Sequence, residues 1–140
     1  MMVQRFKYFN SKPMLAKAFL MAGMLIVSPL TALETITSLM THALAEVPGK
    51  EVLMYTVDFP AGFSSPIHRH NAQVSVYVLE GSVVMQVKGG KELTLGTGQS
   101  FYEDPNDIHV VSRNASNSKP AKFLVFLIHK KDAPLVVPIR

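Results

Sequence analysis

The sequence predicts an all-β protein: a single jelly-roll-like antiparallel β-barrel preceded by an N-terminal signal segment. Residues 74–79 (VSVYVL) alternate Val74, Val76 and Val78 with Ser75, Tyr77 and Leu79, the two-residue period of a strand with two different faces. Short β-branched and aromatic runs recur at roughly 8–12-residue spacing, each closed by glycine, proline, asparagine or aspartate. After Glu46 no segment carries the period of a helix.

The first third of the chain reads differently. Arg5, Lys7, Lys12 and Lys17 precede the first acidic residue, Glu34, and residues 18–33 form an apolar run. Ala43-Leu44-Ala45 then supplies the small-x-small pattern read by a signal peptidase. The expected division is residues 1–45 as a signal peptide and 46–140 as the barrel, with export to the periplasm or the medium. The other reading of residues 1–45 is an uncleaved membrane anchor, because the apolar run approaches the length that spans a bilayer. His42 leaves with the signal segment on the first reading.

The strands follow in order. Residues 51–58 (EVLMYTVD) end at Phe59-Pro60-Ala61-Gly62, and residues 74–79 end at Glu80-Gly81. Residues 82–88 and 91–95 meet across Gly89-Gly90, a two-residue hairpin signal that glycine satisfies. Residues 99–103 lead to the turn Asp104-Pro105-Asn106-Asp107, residues 108–112 resume, and residues 121–130 (AKFLVFLIHK) are the last strong strand. Seven or eight short strands suit a sandwich or closed barrel. About 95 residues make a modest core, so a homodimer covering exposed edges is expected.

Composition excludes several functions. There is no cysteine, so neither disulfides nor a thiolate metal site is available. Most of the net charge of +4 belongs to the leading segment, which holds four Lys/Arg against Glu34 alone; from Glu46 onward ten Lys/Arg stand against nine Asp/Glu. Nucleic acid is therefore not an expected partner, because the folded part has no basic stripe to neutralise phosphates. Of the eight methionines only Met54 and Met85 follow Glu46, and these read as core.

Three histidines occupy informative places. His68 and His70 flank Arg69, and residues two apart in extended backbone project to one face. His109 begins the strand after the Asp104–Asp107 turn. Three neutral imidazoles on the inner face of a barrel would hold a first-row divalent metal at about 2.0–2.1 Å and leave positions open for water or substrate. The spacing does not name the ion: iron, zinc, manganese, nickel and copper all fit.

Gly62-x5-His68-x-His70, continuing through residues 74–81 to Gly81, resembles the first motif of the cupin family, G-x5-H-x-H-x3,4-E-x6-G. Residues 98–114 are similar to the second, G-x5-P-x-G-x2-H-x3-N. The resemblance places the metal ligands on His68, His70 and His109. It also exposes departures. Val74 occupies the glutamate ligand position, and Gln73 beside it would need a bulge to turn inward. Asp104 stands at the proline, Asn106 at the glycine and Arg113 at the asparagine, with Asn114 one place late. Asn106 is expected to keep the turn by accepting left-handed backbone.

Within that family, three-histidine centres resemble those of thiol and β-diketone dioxygenases, which implies a metal-dependent oxidation of a small polar substrate. A non-catalytic module binding a small ligand or the metal itself is the other class. Candidate catalytic residues are Tyr102, as a phenol donor, and Glu103, as a carboxylate orienting a ligand histidine. His129, at a strand end, reads as a surface residue and Glu80 as solvated.

Overall fold

The structure, a computed structural model, describes residues 32–139. Among these, all regular structure is β: β1 (Thr35–Ala43), β2 (Lys50–Phe59), β3 (His68–Arg69), β4 (Gln73–Glu80), β5 (Ser82–Val87), β6 (Leu93–Gly96), β7 (Ser100–Glu103), β8 (His109–Asn114), β9 (Ala121–Lys130) and β10 (Val137–Pro138). Two five-stranded antiparallel sheets result, in the orders β1-β2-β9-β4-β7 and β10-β3-β8-β5-β6. Residues 1–31, which hold the basic stretch and nearly all of the apolar run, lie outside the described residues.

Alternation decides what faces inward. On β4, Val74, Val76 and Val78 are buried while Gln73, Ser75, Tyr77 and Leu79 are exposed. On β9, Ala121, Phe123, Val125, Leu127 and His129 are buried, flanked by β2 on one side and β4 on the other. The inner faces meet in one core, and within the first sheet Phe59 lies edge-on to Phe123 at a centroid distance of 4.9 Å. Such aromatic pairs add about 0.5–1.5 kcal/mol beyond the area they bury.

The seven strands read from the sequence are present, and β1, β3 and β10 are additional. β1 lies upstream of the boundary placed at Glu46. It pairs with β2 from Thr35↔Asp58 to Ala43↔Glu51, around a bulge at Leu39. Every β1 residue is exposed, as expected of an outermost strand packed on one side only. A chain cut before Glu46 would lose β1 and leave β2 as a bare edge of paired length.

Two local expectations are corrected, and a third residue gains a role. Pairing between β5 and β6 ends at Met85↔Leu93, so a longer loop replaces the two-residue hairpin. That loop is held by Gly90 N–H to the Val87 carbonyl (2.9 Å) and the Gln86 amide to the Gly90 carbonyl (2.9 Å). Asn106 has no positive φ. The turn closes instead through Asp107 N–H to the Asp104 carbonyl (3.0 Å) and Asp104 N–H to the Asp107 carboxylate (2.8 Å). Asn114, one place beyond the motif's asparagine position, takes a buried tethering role. Its amide donates to the carbonyls of Phe59, Pro60 and Lys119 at 2.8–3.2 Å, and its oxygen accepts from Ser116 N–H.

Gly81 shows why glycine punctuates β4 and β5. Its φ is +69°, and a Cβ there would lie 2.7 Å from the Pro120 carbonyl oxygen, a backbone atom that cannot swing away. Gly81→Ala is expected to destabilise the fold by at least the ~1–2 kcal/mol of left-handed backbone, read as a lower denaturation midpoint in urea. An unchanged midpoint would mean that the β4–β5 corner relaxes freely.

Candidate metal centre

β3 and β8 are neighbours in the second sheet, and His68 and His109 are register partners across them. His70 follows two residues after His68, just before Asn71 (φ 50°) turns the chain into β4. The rings therefore converge. Centroids lie 4.9 Å apart for His68–His70 and 5.1 Å for His68–His109, and Phe101 stacks on His109 at 5.7 Å. One ligand atom from each of the three lies within 4.8 Å of the others, so the trio could hold a single metal ion.

The hydrogen bonds around the rings set which nitrogen faces the cluster. His68 Nδ1 lies 2.7 Å from the Pro66 carbonyl, and His70 Nδ1 lies 2.6 Å from the Leu135 carbonyl. A carbonyl only accepts, so both Nδ1 atoms carry the proton and both Nε2 lone pairs are free. His109 Nδ1 lies 3.3 Å from the Glu103 carboxylate, both side chains being buried. Both ring nitrogens of His109 are buried with no hydrogen-bond partner, and an orphan ring nitrogen is of the kind that a coordinated cation satisfies. The donor set fits a first-row divalent metal.

Burial also favours the neutral form of His109 and His70. It pushes His109 down to about 3, with the charges of His68 and His70 acting the same way. It lowers His70 too, against the opposing bond to Leu135. Unprotonated imidazoles are the ligand form, so metal need not displace protons from these two at neutral pH. Burial raises Glu103 to about 7, helped by Asp107, and raises the Tyr55 phenol, helped by Glu103 and Glu34.

These groups border one cavity of about 280 Å³ between the two sheets. Its wall is mostly apolar, including Val57, Phe59, Val76, Met85 and Phe123, with His68, His70, His109, Glu103, Tyr55, Ser65, Ser112 and Glu34 as polar points. Val74 is on that wall and 1% exposed, so the motif's glutamate position faces the cavity.

Of the sequence candidates, Glu103 reaches the cavity and His109. Tyr102 does not: it is 51% exposed and its hydroxyl lies 3.3 Å from the Asp104 carboxylate on the outer surface. Gln73 stays on the outer face at the start of β4, since no bulge turns it inward; the irregularity of that strand falls between Val78 and Glu80. His129 is corrected from surface to interior. It is 2% exposed with Nε2 3.1 Å from the Glu51 carboxylate, and it is absent from the cavity wall. Tyr55 and Glu34 were not singled out. Tyr55 could have been found by counting inward positions along β2, Tyr55-Val57-Phe59; Glu34 could not, because its segment reads as a leader.

Replacing Glu103 with glutamine isolates its charge. Metal affinity is expected to fall by roughly 10–100-fold, the usual effect of losing an outer partner of a ligand histidine. With metal chelated, the variant should be the more stable form at pH 8. A carboxyl held at about 7 in the fold against an ordinary 4.5 favours the fold below pH 4.5 and loses that favour as pH rises through 7. The shift corresponds to at most ~3 kcal/mol. Thermal melts at pH 5 and pH 8 in chelator check this; parallel losses of stability and affinity would make Glu103 a packing residue.

Two facing antiparallel sheets with three converging imidazoles on the cavity wall define a small β-barrel with a candidate metal centre. A family profile described as a cupin domain matches residues 55–127, just over half of the chain, and the chain belongs to the cupin family. No curated protein matches the sequence. Among solved structures, the fold is similar to the DMSP lyase DddQ from Ruegeria pomeroyi (TM-score 0.56, 24% identity, covering 62% of this chain and 42% of that one). It is also similar to an oxalate oxidase in complex with the substrate analogue glycolate (0.56, 23%, 76% and 55%) and to the Cnp3 cupin domain of Schizosaccharomyces pombe (0.56, 15%, 67% and 59%). The chain spans less than two thirds of each of these structures.

Proposed function

We propose that the chain is an exported cupin enzyme in which His68, His70 and His109 hold one divalent transition metal and a small molecule is oxidised in the cavity with molecular oxygen. The observation that carries the reading is the convergence of the rings: the Nδ1 atoms of His68 and His70 are tied to backbone carbonyls, and one ligand atom from each of the three histidines lies within 4.8 Å of the others. A bound first-row metal supplies a Lewis acid and, where redox-active, a centre for chemistry with oxygen.

The chain's own residues define the rest. The apolar wall excludes bulk water and takes a hydrocarbon portion, while the Tyr55 phenol on that wall is a hydrogen-bond donor available to a bound molecule. The substrate expected is a small molecule pairing an apolar body with a chelating oxygen or thiolate. The DMSP lyase and the oxalate oxidase show that similar folds carry enzymes on small molecules.

One observation favours a non-catalytic ligand-binding module instead: Glu103, the carboxylate nearest the trio, faces His109 Nδ1 and is not a free base. Metal analysis of protein purified without oxygen separates the two. Iron near one ion per chain, with oxygen consumption on adding a substrate, supports the enzyme. Stoichiometric zinc, or no metal at all, supports the module or removes the site. Homodimer formation and export belong to the same proposal and are checked by sedimentation and by fractionating the producing cells.

A further inference from the structure

Three neutral imidazoles leave the double charge of a divalent ion uncompensated. The motif's glutamate position is Val74, and Glu103 is turned to His109. Among the described residues one other carboxylate borders the cavity: Glu34, immediately before β1. It is half-buried there, its carboxyl raised by burial and opposed by the charge of His68. Tyr55, on the same wall, feels Glu34 and Glu103 together.

Strand register explains how a residue so far upstream arrives. Ile36 pairs with Val57, and both border the cavity. Alternate residues of extended chain share a face, so Glu34 lies on the face of Ile36. All of β1, Ile36 included, is exposed and adds nothing to the core. Its pairing with β2 serves to hold Ile36 and Glu34 at the cavity.

We propose that Glu34 is the anionic member of this metal site, a positioning residue that offsets the charge of an ion held by His68, His70 and His109. The proposal rests on the metal reading above. Glu34 stands outside the group of ligand atoms lying within 4.8 Å of one another, so it acts through a water or ligand on the cavity side of the ion and not as a fourth tight ligand. A second consequence follows: the exported form keeps β1, either by a cut upstream of Glu34 or by remaining anchored.

The test uses the chain as recovered from producing cells, stripped with chelator and titrated with Zn²⁺ and, separately, Mn²⁺. Glu34→Gln preserves shape and removes charge. Its affinity for both ions is expected to fall at least about tenfold, the lower figure for losing an outer partner of a metal site, with an unchanged melting temperature in chelator. Glu46→Gln removes the same charge from an exposed position away from the cavity and should change nothing. Adding Val74→Glu to Glu34→Gln should restore binding. Unchanged affinity in Glu34→Gln overturns the proposal, as does an equal loss in Glu46→Gln or a melting temperature that falls in chelator. N-terminal sequencing gives an independent check: an exported chain that begins at Glu46 lacks the residue and overturns it. If the unsubstituted chain binds neither ion, the metal reading itself fails, a result distinct from all of these.

Discussion

His109→Ala is expected to abolish metal binding while leaving the β-sheet circular dichroism intact, and His129→Ala is expected to do the reverse. His109 is one of three imidazoles placed to share an ion, so on the proposed function its loss should exceed the roughly 100-fold upper figure for losing an outer partner. The fold does not depend on it, because the sheets are held by strand pairing and apolar burial. His129 is just as buried, at 2% against 4%, but its partner is Glu51 and it is not on the cavity wall. Removing it strands a half-buried carboxylate and should cost about 1–3 kcal/mol of stability with no change in metal affinity. Denaturant midpoints and metal titrations on both variants read the two effects separately. Loss of metal in His129→Ala with retention in His109→Ala would reassign the second motif.

The contrast between these histidines shows what the sequence made legible. His129 is two residues from Leu127 and continues the inward series Ala121, Phe123, Val125, so the alternation already placed it inside; its position at a strand end before Lys130 suggested otherwise. The same period applied to β4 put Val74 inward and Gln73 outward, and the structure agrees on both. Glu103 and Tyr102 were adjacent candidates that period 2 separates, since only one of two neighbours on a strand can face the cavity.

What stayed hidden depends on pairing between distant segments. His68 meets His109 because β3 and β8 are adjacent, and nothing local specifies that adjacency; only the family motif pointed to it. β1 was hidden for another reason. Its residues, TITSLMTHA, follow an apolar run and precede Ala45, so the strong pattern of a processing segment masked a weaker β signal. Asn106 failed differently: the turn was kept, but by two Asp104–Asp107 hydrogen bonds and not by left-handed backbone.

Val74→Glu is expected to produce opposite effects on the metal-free and metal-bound protein. Val74 is 1% exposed, lies on the cavity wall and pairs across the sheet with Glu103. Without metal, glutamate there places a second carboxyl against the first in an apolar wall, and both cannot ionise cheaply. The chelated variant should lose several kcal/mol at pH 8, the scale at which an uncompensated buried charge destabilises a fold (~3–5 kcal/mol). It should recover part of that loss at pH 5, where carboxyls raised by burial hold their protons. With metal the sign reverses: an anionic fourth ligand offsets the ion's charge, so affinity should rise and the melting temperature should climb steeply on adding Zn²⁺ or Mn²⁺. Melts at the two pH values, each with chelator and with metal, give all four corners of this cycle. A variant that folds well in chelator and binds metal no better than the parent would mean that position 74 turns its side chain away from the three imidazoles.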